Sequence, residues 1–254
     1  MLTNSNPAKP RPNLFRCGTT ELTQDAMVGW LISWADPEHA NKDSQLHRLG
    51  SELLELMFHK CELEFPDIRS VDVKFQFYGI DLLIQVNNEW QVVIEDKVGS
   101  AEHSDQLSRY LNVVKDRVGV GIERIVPIYL QTGDQGTYDN VHSSGFKKIL
   151  RRDLLKWLDP YAREGHGNAI VNEWHQHLLS REGDVSSFCA KPILEWNHSA
   201  WIGFFCEIQV RLGQGNWAYV SNPAGGFMAF WWGTGEHVDV DLYCQLEEQR
   251  LVWK

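Results

Sequence analysis

The chain has 254 residues, enough for one main core with a smaller appended unit. An apolar fraction of 43% and a charged fraction of 23%, with no low complexity and no internal repeat, exclude a disordered chain and a repeat architecture. The formal net charge of −10 argues against a surface that binds polyanions all over, but leaves room for a local basic groove at Lys147, Lys148, Arg151 and Arg152. Such a run is also what an ordinary solvated face looks like.

The five cysteines are odd in number and lack C-x-x-C spacing, which disfavours a disulfide framework or a structural zinc site. No basic start precedes an apolar run, and no apolar stretch approaches membrane-spanning length. A cytoplasmic protein without membrane contact is expected.

Residues 1–19 hold three prolines among polar neighbours and read as an N-terminal arm without chemistry. From Thr20 the pattern is helical: Met27, Trp30, Leu31 and Trp34 fall at three- and four-residue spacing, with Asp36-Pro37 as the stop. Glu21 lies in the first turn, where a carboxylate complements the helix dipole. A second helix carries Leu46, Leu49, Leu53, Leu56 and Met57 on one stripe, with Glu52 and Glu55 at its polar side.

Three strands follow. Val71, Val73, Phe75 and Phe77 alternate with polar residues, Asp81 to Val86 forms the second strand, Asn87-Asn88-Glu89 the turn, and Trp90 to Lys97 the third. The run Val92-Val93-Ile94 marks the third strand as buried on both faces and central in its sheet. Period two puts Glu95 and Lys97 on one face and Asp96 on the other, and a meander brings Asp81 beside Glu95. Two carboxylates crowded against an apolar sheet repel unless a cation neutralises them, and oxygen ligands suit magnesium or manganese. Lys97 is then placed to polarise a water or a phosphate oxygen. By itself E-x-K is a common triplet, and an ordinary Glu-Lys strand pair is its bland reading.

The next helix is expected after Gly99, with Ser100 as N-cap and Glu102 in the first turn. Leu107, Leu111, Val114 and Val118 form its core face, while His103, Gln106 and Tyr110 look toward the end of the third strand. Arg124 to Thr132 returns after this helical crossover as a strand parallel to an earlier one, and Pro127 predicts an edge position or a bulge.

The order helix, three-strand meander, helix, strand, with Asp81, Glu95-Asp96-Lys97 and Gln106 to Tyr110, resembles the PD-(D/E)XK nuclease superfamily. ELTQDAMVGWLI, GIDLLIQV, VVIEDKV, SDQLSRYLNVV and IVPIYLQTG look like its stand-alone prokaryotic members, and their joint occurrence across roughly residues 20–133 is far more specific than E-x-K. The resemblance implies an α/β, restriction-endonuclease-like αβββαβ core and a Mg2+- or Mn2+-dependent endonuclease acting on nucleic acid, DNA before RNA, in prokaryotic (antiviral) defence or nucleic-acid processing. It implies that Asp81, Glu95 and Glu21 hold the metal, that Lys97 activates the attacking water, and that Gln106 and Tyr110 steady the site. Ile80 stands where the superfamily's name has Pro, and Glu52 and Glu55 are alternatives to Glu21. The rival reading is a non-catalytic nuclease-like fold that binds nucleic acid or assembles with a partner.

Phe146 to Leu150 reads as a further strand, Asp153 opens a helix that ends near Asp159-Pro160, and Ala169 to Leu179 forms another, with His175 and His177 at its surface. The polar run Arg181 to Ser187 suggests a boundary between a nuclease-like domain over 20–182 and an accessory α+β domain over 188–254. In the latter, Trp201, Phe204, Phe205, Ile208 and Leu212 make a helical stripe ended by Gly213, and WAYV, FMAFWW, VDVDLYCQL and RLVW make an antiparallel meander. Six of the eleven tryptophans (Trp196, Trp201, Trp217, Trp231, Trp232, Trp253) fall here; core packing explains them more simply than base stacking. This unit is the expected surface for an oligomer or a protein partner.

Overall fold

In a computed structural model, residues 12–99, 105–164, 167–223, 225–233, 243–248 and 250–254 are described. The elements are helices α1 (Leu14–Cys17), α2 (Glu21–Ser33) and α3 (Ser44–Lys60); strands β1 (Val71–Phe77), β2 (Ile80–Val86) and β3 (Trp90–Lys97); α4 (Gln106–Val118), β4 (Ile125–Gln131), α5 (Asp139–Ser143) and β5 (Lys147–Leu150); then α6 (Arg151–Arg163), α7 (Ala169–Ser186) and α8 (His198–Leu212); and finally β6 (Asn216–Val220), β7 (Phe227–Gly233), β8 (Tyr243–Glu247) and β9 (Arg250–Trp253). The protein is mixed α/β. One five-stranded sheet has the order β1-β2-β3-β4-β5, and a separate four-stranded antiparallel sheet has the order β6-β7-β8-β9.

Strands β1 to β3 form the antiparallel meander, and β4 and β5 run parallel to β3. Asn87 and Asn88 both sit at φ +58° in the three-residue loop between Val86 and Trp90, where the Glu89 N–H donates to the Val86 carbonyl at 3.0 Å to close the turn. Central β3 is covered on both faces. Val92 and Ile94 join Leu82, Ile84, Val126 and Ile128 under α2, α3, α6 and α7, while Val93 packs with Leu83, Tyr129, Leu107 and Val114 under α4. Helices α2 and α3 touch at Gly50, where a Cβ would lie 2.4 Å from the Leu31 carbonyl oxygen.

Several local expectations are corrected by packing. Pro127 is in an interior strand, not at an edge; it opposes Val93, but β5 pairs with β4 only from Ile128 onward, so the missing N–H faces an uncovered stretch. Helix α6 runs through Pro160 to Arg163, because Pro160 and Lys156 lie on its exposed side and the carbonyl left without a donor is not buried. Helix α7 continues through Arg181 to Ser186, so this polar run is helical. His175 is buried against Asp159 Oδ1 at 3.1 Å, and His177 is half-buried beside Phe15, because α7 is covered by both α6 and α1. Of the expected N-terminal arm, residues 12–19 are described and include α1, docked through Asn13 and Leu14 onto Glu173. The expected roles of Ser100, Glu102 and His103, residues 1–11 of the arm, and residues 238–242 of the VDVDLYCQL strand lie outside the described residues.

In the C-terminal unit, Trp201, Phe205, Trp217, Met228 and Phe230 build a core of their own, with Trp196 and Trp232 packed on it. These tryptophans serve packing. Trp253 on β9 is exposed.

Candidate active site

The β2–β3 register pairs Leu82 with Ile94, and one further step sets Asp81 opposite Glu95, where cross-strand Cβ atoms lie about 5 Å apart. Asp81 Oδ2 accepts the Asp96 backbone N–H at 2.9 Å, and Asp81 Oδ1 accepts from Gln76 Nε2 at 3.2 Å. Glu95 is fully buried. Lys97, on the same face, turns back so that its ammonium forms an ion pair with Glu95 Oε1 and lies 3.8 Å from Glu21 Oε2. Glu21 Oε1 accepts from the Val98 N–H at 3.5 Å, which ties the first turn of α2 to the end of β3. Behind them Gly133 lets the chain after β4 close on the chain after β3; a Cβ there would meet the Val98 carbonyl oxygen at 2.0 Å.

The reverse face of β3 carries a second acidic group. Asp96 points toward α2, where Gln24 Nε2 donates to its Oδ1 and Gln24 Oε1 accepts from Thr132 Oγ1 at 2.6 Å. Asp25 follows on α2, and its Oδ2 accepts from Gln76 Nε2 at 3.3 Å, so one amide holds both Asp25 and Asp81. Gln76 achieves this from a left-handed backbone, φ +51°, where the β1–β2 ladder skips from Phe75↔Leu82 to Phe77↔Ile80. A non-glycine residue there costs about 1–2 kcal/mol, which the contacts to two carboxylates offset.

Glu21, Asp81 and Glu95 thus gather at the Lys97 ammonium, with Asp25 and Asp96 on the reverse face of the strand. Burial, and next Asp81, push Glu95 up to about 7 against the pull of Lys97. Burial and then Asp81 likewise push Asp25 up to about 7, and burial with Asp25 alongside holds Asp96 well above the carboxylate range. Asp25 Oδ1 and Asp96 Oδ2 are both buried without a donor, and a proton held on Asp96 relieves the repulsion between the two groups. Burial opposes the charge of Lys97, yet Glu95, Glu21 and Asp81 outweigh it and hold the ammonium above the ordinary lysine range. Lys97 is a cation at neutral pH.

Helix α4 closes the site from the Glu95 side. Gln106 Nε2 donates to the Tyr110 hydroxyl at 2.6 Å, and that hydroxyl donates to the Gly79 carbonyl in the β1–β2 turn. Burial raises the Tyr110 pKa, with Glu95 and Asp81 adding to it, so the hydroxyl stays protonated and keeps its donor role.

A family model for the PD-(D/E)XK nuclease superfamily matches residues 13–180. The chain belongs to the PD-(D/E)XK nuclease superfamily. No curated protein matches the chain, and no solved structure does. Among the described residues no helix is long and apolar enough to cross a membrane.

PD-(D/E)XK nucleases typically use a divalent metal. Among the described residues no group of three or more His, Cys, Asp or Glu side chains is arranged to hold one. Two carboxylates are enough for magnesium, which keeps most of its shell as water and substrate oxygen. Glu95 Oε2 is buried without a hydrogen-bond donor, Asp81 stands opposite, and both are hard oxygen donors in a site short of positive charge. These residues fit such a cation.

Of the α2 and α3 glutamates, Glu21 reaches Lys97, while Glu52 and Glu55 are half-exposed beside Arg48 and His59. The basic run is divided. Arg151 is buried and committed to Asp134, Glu182 and the Thr132 carbonyl, so it is not available to a nucleic acid; Arg152 is exposed and pairs with Glu182; Lys147 is exposed and Lys148 half-buried. Periodicity does not single out Gln24, Asp25, Gln76 or Thr132 as site residues, and it puts Asp96 on the opposite face of β3 without giving it a role. One signal for Asp25 was available: it follows Glu21 by one helical turn and directly precedes the apolar run Ala26-Met27-Val28.

Proposed function

We infer that this chain is a divalent-metal-dependent nuclease that hydrolyses phosphodiester bonds in nucleic acid, with DNA the first substrate to test. The observation that carries the reading is the buried Glu95–Lys97 pair opposite Asp81, at the end of the central strand of a PD-(D/E)XK chain. Asp81 and Glu95 would hold the ion. When bound, it would supply Lewis-acid charge and a water of lowered pKa. In-line attack gathers negative charge at phosphorus, and the Lys97 ammonium, already fixed by Glu95 and Glu21, is placed to stabilise that charge and to orient the attacking water by donating to it. In the ion-paired arrangement with Glu95 and Glu21, Lys97 would contribute as a hydrogen-bond donor and a positive charge. Glu21 keeps the ammonium in place. Gln106 and Tyr110 anchor α4 to the turn before Asp81, and Gln76 fixes the Asp81 carboxylate.

The test is incubation with plasmid, single-stranded DNA and RNA, with and without Mg2+ or Mn2+, beside Glu95→Ala. Metal-dependent cutting that the variant loses supports the reading. Binding without cutting in every metal would replace it with a nucleic-acid-binding module.

A further inference from the structure

The sheet face that carries Glu95 and Lys97 continues past them. Glu95 is in register with Tyr129 and Tyr129 with Lys148, so Lys148 lies two strands from Glu95 on the same face, on the order of 10 Å away. A polar line joins the two positions. Lys97 is in register with Gln131, Gln131 Oε1 accepts from the Tyr138 hydroxyl at 2.7 Å, and Lys148 Nζ sits 4.2 Å from the centre of the Tyr138 ring.

Beside this ring lies a cavity of about 500 Å³, walled by Tyr138, His142 and Lys148 from the nuclease fold and by Gln209, Gln214 and Asn216 from the C-terminal unit. That volume suits a small ligand such as one nucleotide. Gln209 Nε2 fixes the two walls together through the Gly136 and Gly215 carbonyls, at 2.6 and 2.9 Å. The acidic side chain at the cavity, Asp139, is held by the Thr137 hydroxyl at 2.6 Å. Among the described residues Lys148 makes no ion pair, and it is half-buried. Burial and the nearby Lys60 lower its pKa, and Asp153, which is paired with Lys60, opposes them only in part.

We propose that this cavity is a subsite for a nucleotide flanking the cleaved bond, in which Lys148 binds a backbone phosphate and the C-terminal unit supplies the opposite wall. The proposal rests on the nuclease reading, and it gives the C-terminal unit a role in holding the strand. Phosphate contacts fix register and orientation, so the subsite sets where along the strand the scissile phosphate meets Asp81 and Glu95.

The experiment measures anisotropy of a fluorescein-labelled single-stranded DNA or RNA oligonucleotide in EDTA, which prevents cutting, across a series of salt concentrations. Lys148→Gln is expected to weaken binding about tenfold, the value of one charged hydrogen bond, and to reduce the log–log salt slope by about one. Lys148→Arg is expected to keep the slope and most of the affinity. If wild type binds and Lys148→Gln matches it in affinity and slope, the subsite is wrong while the nuclease reading stands. Equal loss in Lys148→Arg and Lys148→Gln would show a structural lysine and overturn the subsite. A wild-type protein that neither binds nor cuts any nucleic acid would overturn both.

Discussion

Replacing Glu95 with Gln removes a fully buried carboxylate of the site and keeps its shape. Glu95 is fully buried and its pKa rises from 4.5 to about 7, a displacement worth about 3 kcal/mol at 1.36 kcal/mol per unit. The sign follows from proton binding. Between about pH 4.5 and about 7 the folded protein holds a proton that the unfolded chain has released, so raising the pH through this window destabilises the fold. Below it Glu95→Gln and wild type should differ little from this cause. Above about pH 7, without metal, the variant should be the more stable by up to about 3 kcal/mol, less what Lys97 loses with its nearest partner. A divalent ion reverses the ranking, because it binds the ionised carboxylate and has less to bind in the amide. The assay is urea unfolding of both proteins at about pH 4 and about pH 8, with and without millimolar Mg2+. A variant no more stable than wild type at the higher pH, or equally stabilised by Mg2+, would refute the reasoning.

Two further changes probe the frame of the site. Gln76→Gly should relieve the left-handed backbone, worth about 1–2 kcal/mol, while losing the amide that holds Asp25 and Asp81; near-wild-type unfolding midpoints with a higher Mg2+ requirement for cutting are expected, and an unchanged requirement would show that the clamp is idle. Arg151→Ala strands Asp134 and leaves the Thr132 carbonyl without its donor, while Glu182 keeps Arg152, so urea unfolding should show a loss of about 3 kcal/mol.

The heart of the site is legible in the sequence because strand periodicity is strict. Val92-Val93-Ile94 marks a strand covered on both sides, Asn87-Asn88 marks the turn, and counting back from that turn sets Asp81 against Glu95. What period two does not carry is departure from the ladder. Gln76 reads as an ordinary outward strand residue until its left-handed φ aims its amide at Asp25 and Asp81. Helix packing is equally hidden. Asp25 and Asp96 face each other only because α2 lies against the end of β3, and Arg151 leaves its basic neighbours only because Asp134 and Glu182 converge on it. In each case a distant partner overrides the local pattern.

The most direct test of the central claim compares wild type and Lys97→Ala on labelled DNA and RNA under single-turnover conditions with Mg2+, with circular dichroism to verify the fold. Loss of a preorganised charge at the phosphorus centre should slow cleavage by about 100-fold or more while the fold survives. A folded Lys97→Ala protein that cuts as fast as wild type would contradict the account.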